Sequence, residues 1–251
     1  MFSLPVLAAL AVVAVVTSFI SGIFGMAGGM LLIGFLLLML PVPVAMVFHG
    51  VIQIAANSWR SYLWRRHINW AVVLEFGLGS LFSLVVFSSL AFVPPKWAVF
   101  MAVGLTPFIA LSVPQTIAPN IERRGQAFLA GAIGGALQLV AGVTGPILDL
   151  FYVRTGMSRQ VNVSTKAAAQ VMGHLTKVTY FGALVANPGG RDPEQWLVMA
   201  FAAGFAVLGT SLSRRFLDRL SDHQFYYWTR RIILAIGVVY IAQGIWQVAA
   251  R

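Results

Sequence analysis

Ten stretches of this chain are predominantly apolar, at 4–24, 29–40, 43–63, 70–92, 97–117, 126–142, 145–157, 160–182, 194–213 and 229–249. A bilayer core offers backbone N–H and C=O groups no water, so such a run satisfies them inside a helix, and about 18 apolar residues suffice to cross. The runs are unbroken rather than alternating, which excludes a barrel. Six to eight of them could span about 30 Å at about 1.5 Å per residue. Segments 29–40 and 145–157 reach at most about 20 Å by that rise and read as half-helices or re-entrant pieces. Composition agrees: 59% of residues are hydrophobic and 10% charged, against about 45–50% and about 25% in soluble domains. The expected fold class is an all-α integral membrane protein, a polytopic helical bundle lying multi-pass in the inner (plasma) membrane.

Seventeen Lys and Arg against seven Asp and Glu give a net charge of +10. In a soluble protein that excess would suggest nucleic acid. Here it sits mostly in short loops, where cytoplasmic orientation requires it, and no nucleic-acid partner is expected. The chain has no cysteine, which excludes disulfides, thiol catalysis and cysteine metal sites. No metal and no cofactor is expected. The first basic residue is Arg60, so 4–24 lacks the basic start of a secretory signal and is expected to stay as the first span.

Both short segments follow a glycine-broken corner, and the corners reveal an internal repeat. Gly25-Met26-Ala27-Gly28-Gly29 and Gly142-Val143-Thr144-Gly145-Pro146 match at an offset of 117 residues, Gly25 to Gly142 and Gly28 to Gly145. The same offset pairs His49 with Lys166, Gln53 with Gln170, Asn57 with His174 and Arg60 with Lys177. Steps of four, four and three residues put each quartet on one face of a helix. The chain therefore divides into halves, 1–120 and 121–251, within one membrane domain. Each half has a glycine corner, a short helix and a long helix with a polar stripe.

Loop charge orients the halves. The loop after the first striped helix is basic (Arg65, Arg66, His67), whereas the next carries only Lys96. After the second striped helix Arg191 is offset by Asp192 and Glu194, while the following loop holds Arg214, Arg215, Arg219, Arg230 and Arg231. The positive side swaps between equivalent loops, so the halves are expected to be inverted. That places 64–69, 118–125 and 214–228 in the cytoplasm and 93–96 and 183–193 outside. Inversion needs an odd number of crossings per half, so the short segments must count toward five; if they only re-enter, the halves become four-span units.

Inverted halves with broken helices are how secondary transporters build a midplane site. Glycine lets backbone approach a ligand closely, and the helix starting there presents free N–H groups to an anion. Close helix packing is the competing explanation of the corners. Candidate substrate-binding residues are Gly25, Gly28, Gly29, His49, Gln53, Asn57, Gly142, Gly145, Lys166, Gln170 and His174. For each Gln, Asn or His a structural interhelical hydrogen bond is an equal alternative. His49 and His174 could also carry a proton. Asp149 is the one acidic residue deep in an apolar segment of the second half; it relays protons or pairs with Lys166. Lys166 itself has three available roles: attracting an anion, pairing with Asp149, or snorkelling. Arg60 and Lys177 fall near helix ends and are expected to snorkel to the interface. The tally is positive, which favours an anionic substrate.

An intramembrane protease would need paired aspartates, a serine–histidine dyad or a His-Glu-x-x-His motif. The zinc motif is absent, the acids are too scattered to pair, and no glycine-flanked serine corner marks a nucleophile. A dyad, a passive channel and a non-transporting membrane subunit stay open as readings. A homodimer is compatible with all of them.

Three pieces of sequence carry a family resemblance: the corner Phe24-Gly25-Met26-Ala27-Gly28-Gly29-Met30, the helix Gln53 to Tyr62 ahead of Arg65-Arg66-His67-Ile68-Asn69-Trp70, and the echo from Gly142 to Lys177. Here the chain resembles the sulfite exporter TauE/SafE family of membrane permeases over essentially its whole length. It departs in having Ala27 where a further glycine is common, and Pro146 after Gly145. The resemblance implies transport of small, often sulfur-containing anions such as sulfite, sulfoacetate or other organosulfonates, usually by proton-motive force. Export is the default direction. An uptake permease for another small anion or a metal-containing species is the alternative.

Overall fold

The computed structural model describes residues 3–185, 193–217 and 222–250. Within them the apolar runs fold as α1 Leu4–Phe24, α2 Ala27–Met39, α3 Val42–Leu63, α4 Trp70–Leu90, α5 Lys96–Ser112, α6 Gln126–Val140, α7 Gly145–Tyr152, α8 Arg159–Thr179, α9 Pro193–Leu217 and α10 Asp222–Ala249. No strand occurs among the described residues. The starts follow local chemistry. Asn69 caps α4 by accepting from the Val72 N–H, and Ser158 caps α8 by accepting from that of Val161, each at 3.4 Å. At the α1–α2 and α6–α7 junctions Gly25 (φ 68°) and Gly142 (φ 75°) adopt a backbone region that side-chain-bearing residues avoid.

Five described helices are long and apolar enough to cross a membrane: α1, α3, α4, Pro193–Arg214 of α9 and Tyr227–Ala249 of α10. α2, α5 and α6 are apolar but shorter. α8 has the length and not the hydropathy. It packs among α3, α4 and α6, so its polar stripe meets protein instead of lipid. Segment 145–157 is helical only to Tyr152, then turns back onto the linker between halves. Ile121 N–H donates to the Phe151 carbonyl (2.8 Å), and Gly156 N–H to the Glu122 carboxylate (2.8 Å).

The main helix pairings recur on exchange of α1–α5 for α6–α10, although the α2–α3 contact has no counterpart of similar extent between α7 and α8. α1 lies on α9 as α6 lies on α4, α3 meets α9 as α8 meets α4, and α2 meets α10 as α7 meets α5. The pairs α3–α8 and α5–α10 map onto themselves. The tightest seams are glycine-built. A Cβ at Gly209 would overlap the Val15 carbonyl, and one at Gly131 the Phe76 carbonyl, which lets the helices touch backbone to backbone. Ile33, Leu37, Phe48, Phe100 and Phe181 fill the interior, while Leu74, Leu78, Leu81, Phe82 and Val85 of α4 point outward. An apolar exterior of this kind is solvated by lipid.

Contacts sort the loops onto two faces. On one, the Arg214 guanidinium stacks over Trp64, the Asn69 N–H donates to Thr165 Oγ, and linker 118–122 meets 151–156. On the other, the Tyr180 hydroxyl donates to the carbonyls of Phe87 and Phe92, and the start of α3 meets Phe181, Gln195 and Trp196. Residues 186–192 of the expected external stretch 183–193, and 218–221 of the expected cytoplasmic stretch 214–228, lie outside the described residues.

Candidate anion site between the glycine corners

The two striped helices meet face to face at the centre of the bundle, with a glycine corner against each. Between them is a cavity of about 20 Å³, room for about one water. Four pairs related by the 117-residue offset line it: Ser21 with Gln138, Met26 with Val143, Gln53 with Gln170, and Asn57 with His174. Gly29, His49, Thr144 and Gly145 complete the wall. The cavity thus sits where the two halves are related to each other. No acidic side chain lines it.

Gly29, His49, Gln53, Asn57, Gly145, Gln170 and His174 line the cavity. Gly25, Gly28, Gly142, Lys166 and Asp149 do not. Gly25 and Gly142 turn the chain. Gly28 lies where a Cβ would overlap the Thr17 carbonyl, so it packs α2 on α1. A Cβ on Gly29 would overlap the Gln53 amide, and one on Gly145 the Met26 side chain. Lys166 donates to Asp149 Oδ1 at 2.7 Å, with the two side chains 22% and 33% exposed. Of the three roles available to Lys166, pairing is the one in contact geometry.

The sequence reading missed Ser21 and Gln138, although the offset that found the stripes finds them when carried backward. Each lies four residues before the first glycine of its corner. Gln138 is fully buried, and neither its amide nitrogen nor its oxygen has a protein partner. His174 Nδ1 is buried and unpartnered as well. Buried polar atoms normally find partners. Both residues line the same cavity, so Gln138 and His174 each bring unpaired polar atoms to one site.

Lys177 departs furthest from expectation. It is fully buried instead of snorkelling, with Nζ 2.6 Å from His49 Nδ1 and donating at 2.7 Å to the Gly142 carbonyl. His49 Nε2 lies 2.9 Å from the Gly29 carbonyl. A carbonyl only accepts, so Nε2 carries the hydrogen. Gly142, Lys177, His49 and Gly29 form one chain joining the two corners. The repeat-mate Arg60 reaches inward too: its guanidinium donates to Ser21 Oγ (3.4 Å), which donates to the Gly25 carbonyl. Each cation thus serves the carbonyl just past a broken helix, where helix dipoles favour positive charge.

The model of the family described as "Sulfite exporter TauE/SafE" matches residues 10–241 of the chain. No curated protein and no solved structure matches it.

Proposed function

Because the chain belongs to the sulfite exporter TauE/SafE family of membrane transporters, we propose that it is a secondary transporter for a small sulfur oxyanion, sulfite or an organosulfonate. It moves the anion outward across the inner membrane, driven by proton-motive force. The observation carrying this reading is the central cavity, walled by four repeat-related pairs and by the unpartnered Gln138 and His174. Neutral amide and hydroxyl donors suit an oxyanion, because they give several hydrogen bonds without binding it irreversibly. Gln53, Asn57, Gln138, Thr144, Gln170 and His174 would hold the substrate. Gly29 and Gly145 give it room, while Gly25, Gly28 and Gly142 shape the corners. The Lys166–Asp149 pair would serve as a charge link beside the site, and His49 and His174 as the groups that handle protons.

The same reading takes the halves as inverted repeats. Five helices each, the exchange symmetry of packing and the sorting of loops onto two faces support it. A cavity of about 20 Å³ is too small for the substrate, so transport requires the halves to rock and widen it toward one side at a time. Proteoliposomes loaded with sulfite, sulfoacetate, sulfate or acetate test the reading, each with and without a pH gradient. Preferential flux of the sulfur anions is expected. No flux of any anion would leave the protein a non-transporting membrane subunit.

A further inference from the structure

A fully buried cation in a membrane protein is expensive, by about 2.5–3.5 kcal/mol on insertion scales, and among the described residues no carboxylate contacts Lys177. Its surroundings can be enumerated. α3 contributes His49, and α8 itself contributes His174, whose ring centroid is 5.5 Å from that of His49. α6 ends in the Gly142 carbonyl, and α2 offers the Gly29 carbonyl to His49. α4 carries Glu75 near its start, while its far end is the part that meets Tyr180 beyond Lys177. Arg60 is engaged with Ser21, and Asp149 with Lys166.

The hydrogen-bond arithmetic is unusual. An ammonium has three N–H groups and an amine two. The geometry asks Nζ for two, one to Gly142 and one to His49 Nδ1. Both states of the lysine therefore satisfy the same contacts. The Lys177–His49 pair can hold one extra proton or none; Nζ keeps its contacts to Gly142 and His49 in both states, whereas the His49–Gly29 link lasts only while Nε2 keeps its hydrogen.

We propose that the Lys177–His49 pair is the proton-binding element of the anion cavity, with Lys177 carrying the switchable charge. This rests on the transporter reading of the same site. Lys177 does not line the cavity and His49 does, so the proton passes through the ring. Nδ1 takes a proton from Nζ while Nε2 releases its own to water admitted when the cavity opens. The ammonium becomes an amine, the imidazole stays neutral with its hydrogen moved to Nδ1, and one proton leaves. Charged, the pair attracts the anion from just behind the wall; discharged, it releases it, so proton and anion cross together. A pH gradient alone draws the anion to the less acidic side, and outward movement of a dianion is driven by the membrane potential. Lys177 is a positioning and charge-setting residue rather than a direct ligand.

The test uses reconstituted full-length protein with labelled sulfoacetate, whose fixed sulfonate charge prevents leak, and with the membrane potential clamped. Exchange at equal pH is compared with accumulation under a gradient of about one pH unit, which at one proton per anion sustains about a tenfold concentration ratio. Wild type should approach that ratio. Lys177→Met should exchange the anion more slowly because the attracting charge is gone, Lys177→Arg more slowly because the charge is never discharged, and both should accumulate it to a ratio near one. Methionine never carries the proton and arginine never gives it up. Arginine is the informative variant, because a merely structural cation would be rescued by it. A Lys177→Arg protein with the wild-type ratio overturns the proposal. So does a Lys177→Met protein that keeps the ratio. If Lys177→Met fails to insert, Lys177→Arg decides alone. Wild type that exchanges without responding to the gradient sinks this inference and leaves the transporter reading standing. Wild type that exchanges none of the anions of the flux panel sinks both.

Discussion

Gln138 pits stability against function within a single side chain. Its amide is fully buried with no protein partner, and each such orphan atom costs about 1–3 kcal/mol. Gln138→Leu keeps most of the volume and removes both orphans. Thermal unfolding in detergent should shift upward, by about 1 kcal/mol, while the KM for the anion rises several-fold. A lower midpoint would mean that the amide is structural. At the Lys166–Asp149 pair, Lys166→Gln and Asp149→Asn should each impair transport, and the double variant should recover much of it, because no uncompensated charge remains. A silent Lys166→Gln would remove the pair from the working parts. Residues of this kind were legible where they repeat: Gln53, Asn57, Gln170 and His174 stand out as polar positions at helical spacing in apolar surroundings. Lys177 was not. It is two residues from the end of α8, a position that reads as interfacial. Yet the chain continues in a π-helical turn, Tyr180–Leu184, whose Tyr180 is tied to α4. A long cation that would reach water from a free helix end is thereby sealed inside.

At the scale of elements, the adjacent glycines of the first corner separate packing from ligand space. Gly28→Ala would drive a methyl into the Thr17 backbone carbonyl, which cannot yield without parting α2 from α1. Gly29→Ala meets only the end of the flexible Gln53 side chain. Gly28→Ala should therefore lose about 1–3 kcal/mol of stability and transport with it. Gly29→Ala should insert and melt like wild type while binding the anion several-fold more weakly, since the amide it displaces lines the cavity. Thermal melts and anion KM on the two variants check this, and equal melts would refute the division of labour. The sequence marked both corners but could not assign these roles. Spacing says where backbone bends; which neighbour fills the space beside each glycine is decided by helices far away in the chain. The same limit shows in α7, expected to 157 and ending at Tyr152. Past that point come Val153, Arg154, Thr155, Gly156 and Met157, and this stretch is held to the linker at Ala118–Glu122 by hydrogen bonds.

For the whole molecule the sharpest commitment is orientation. Loop charge alone suggested that the halves face opposite ways, and the contacts add an independent constraint. Trp64, after the striped helix of the first half, sits under Arg214, from the end of the helix that follows the stripe in the second. Equivalent loops would be 64–69 and the stretch after α8. The face that holds 64–69 instead gathers the loop one helix later, which supports the inverted arrangement proposed above. The first half does the reciprocal thing, because the loop after α4 meets the end of α8 through Tyr180. With no native cysteine, single substitutions at the exposed positions Arg66, Gln115, Val93 and Leu184 can be labelled cleanly from either side of the membrane. Arg66→Cys and Gln115→Cys should react only from the cytoplasm, the side that basic loops favour. Val93→Cys and Leu184→Cys should react only from outside. If Arg66→Cys and Leu184→Cys label from the same side, the halves are not inverted. The corners would then no longer face each other across the membrane midplane, and the rocking motion that opens the cavity alternately to each side would lose its structural basis.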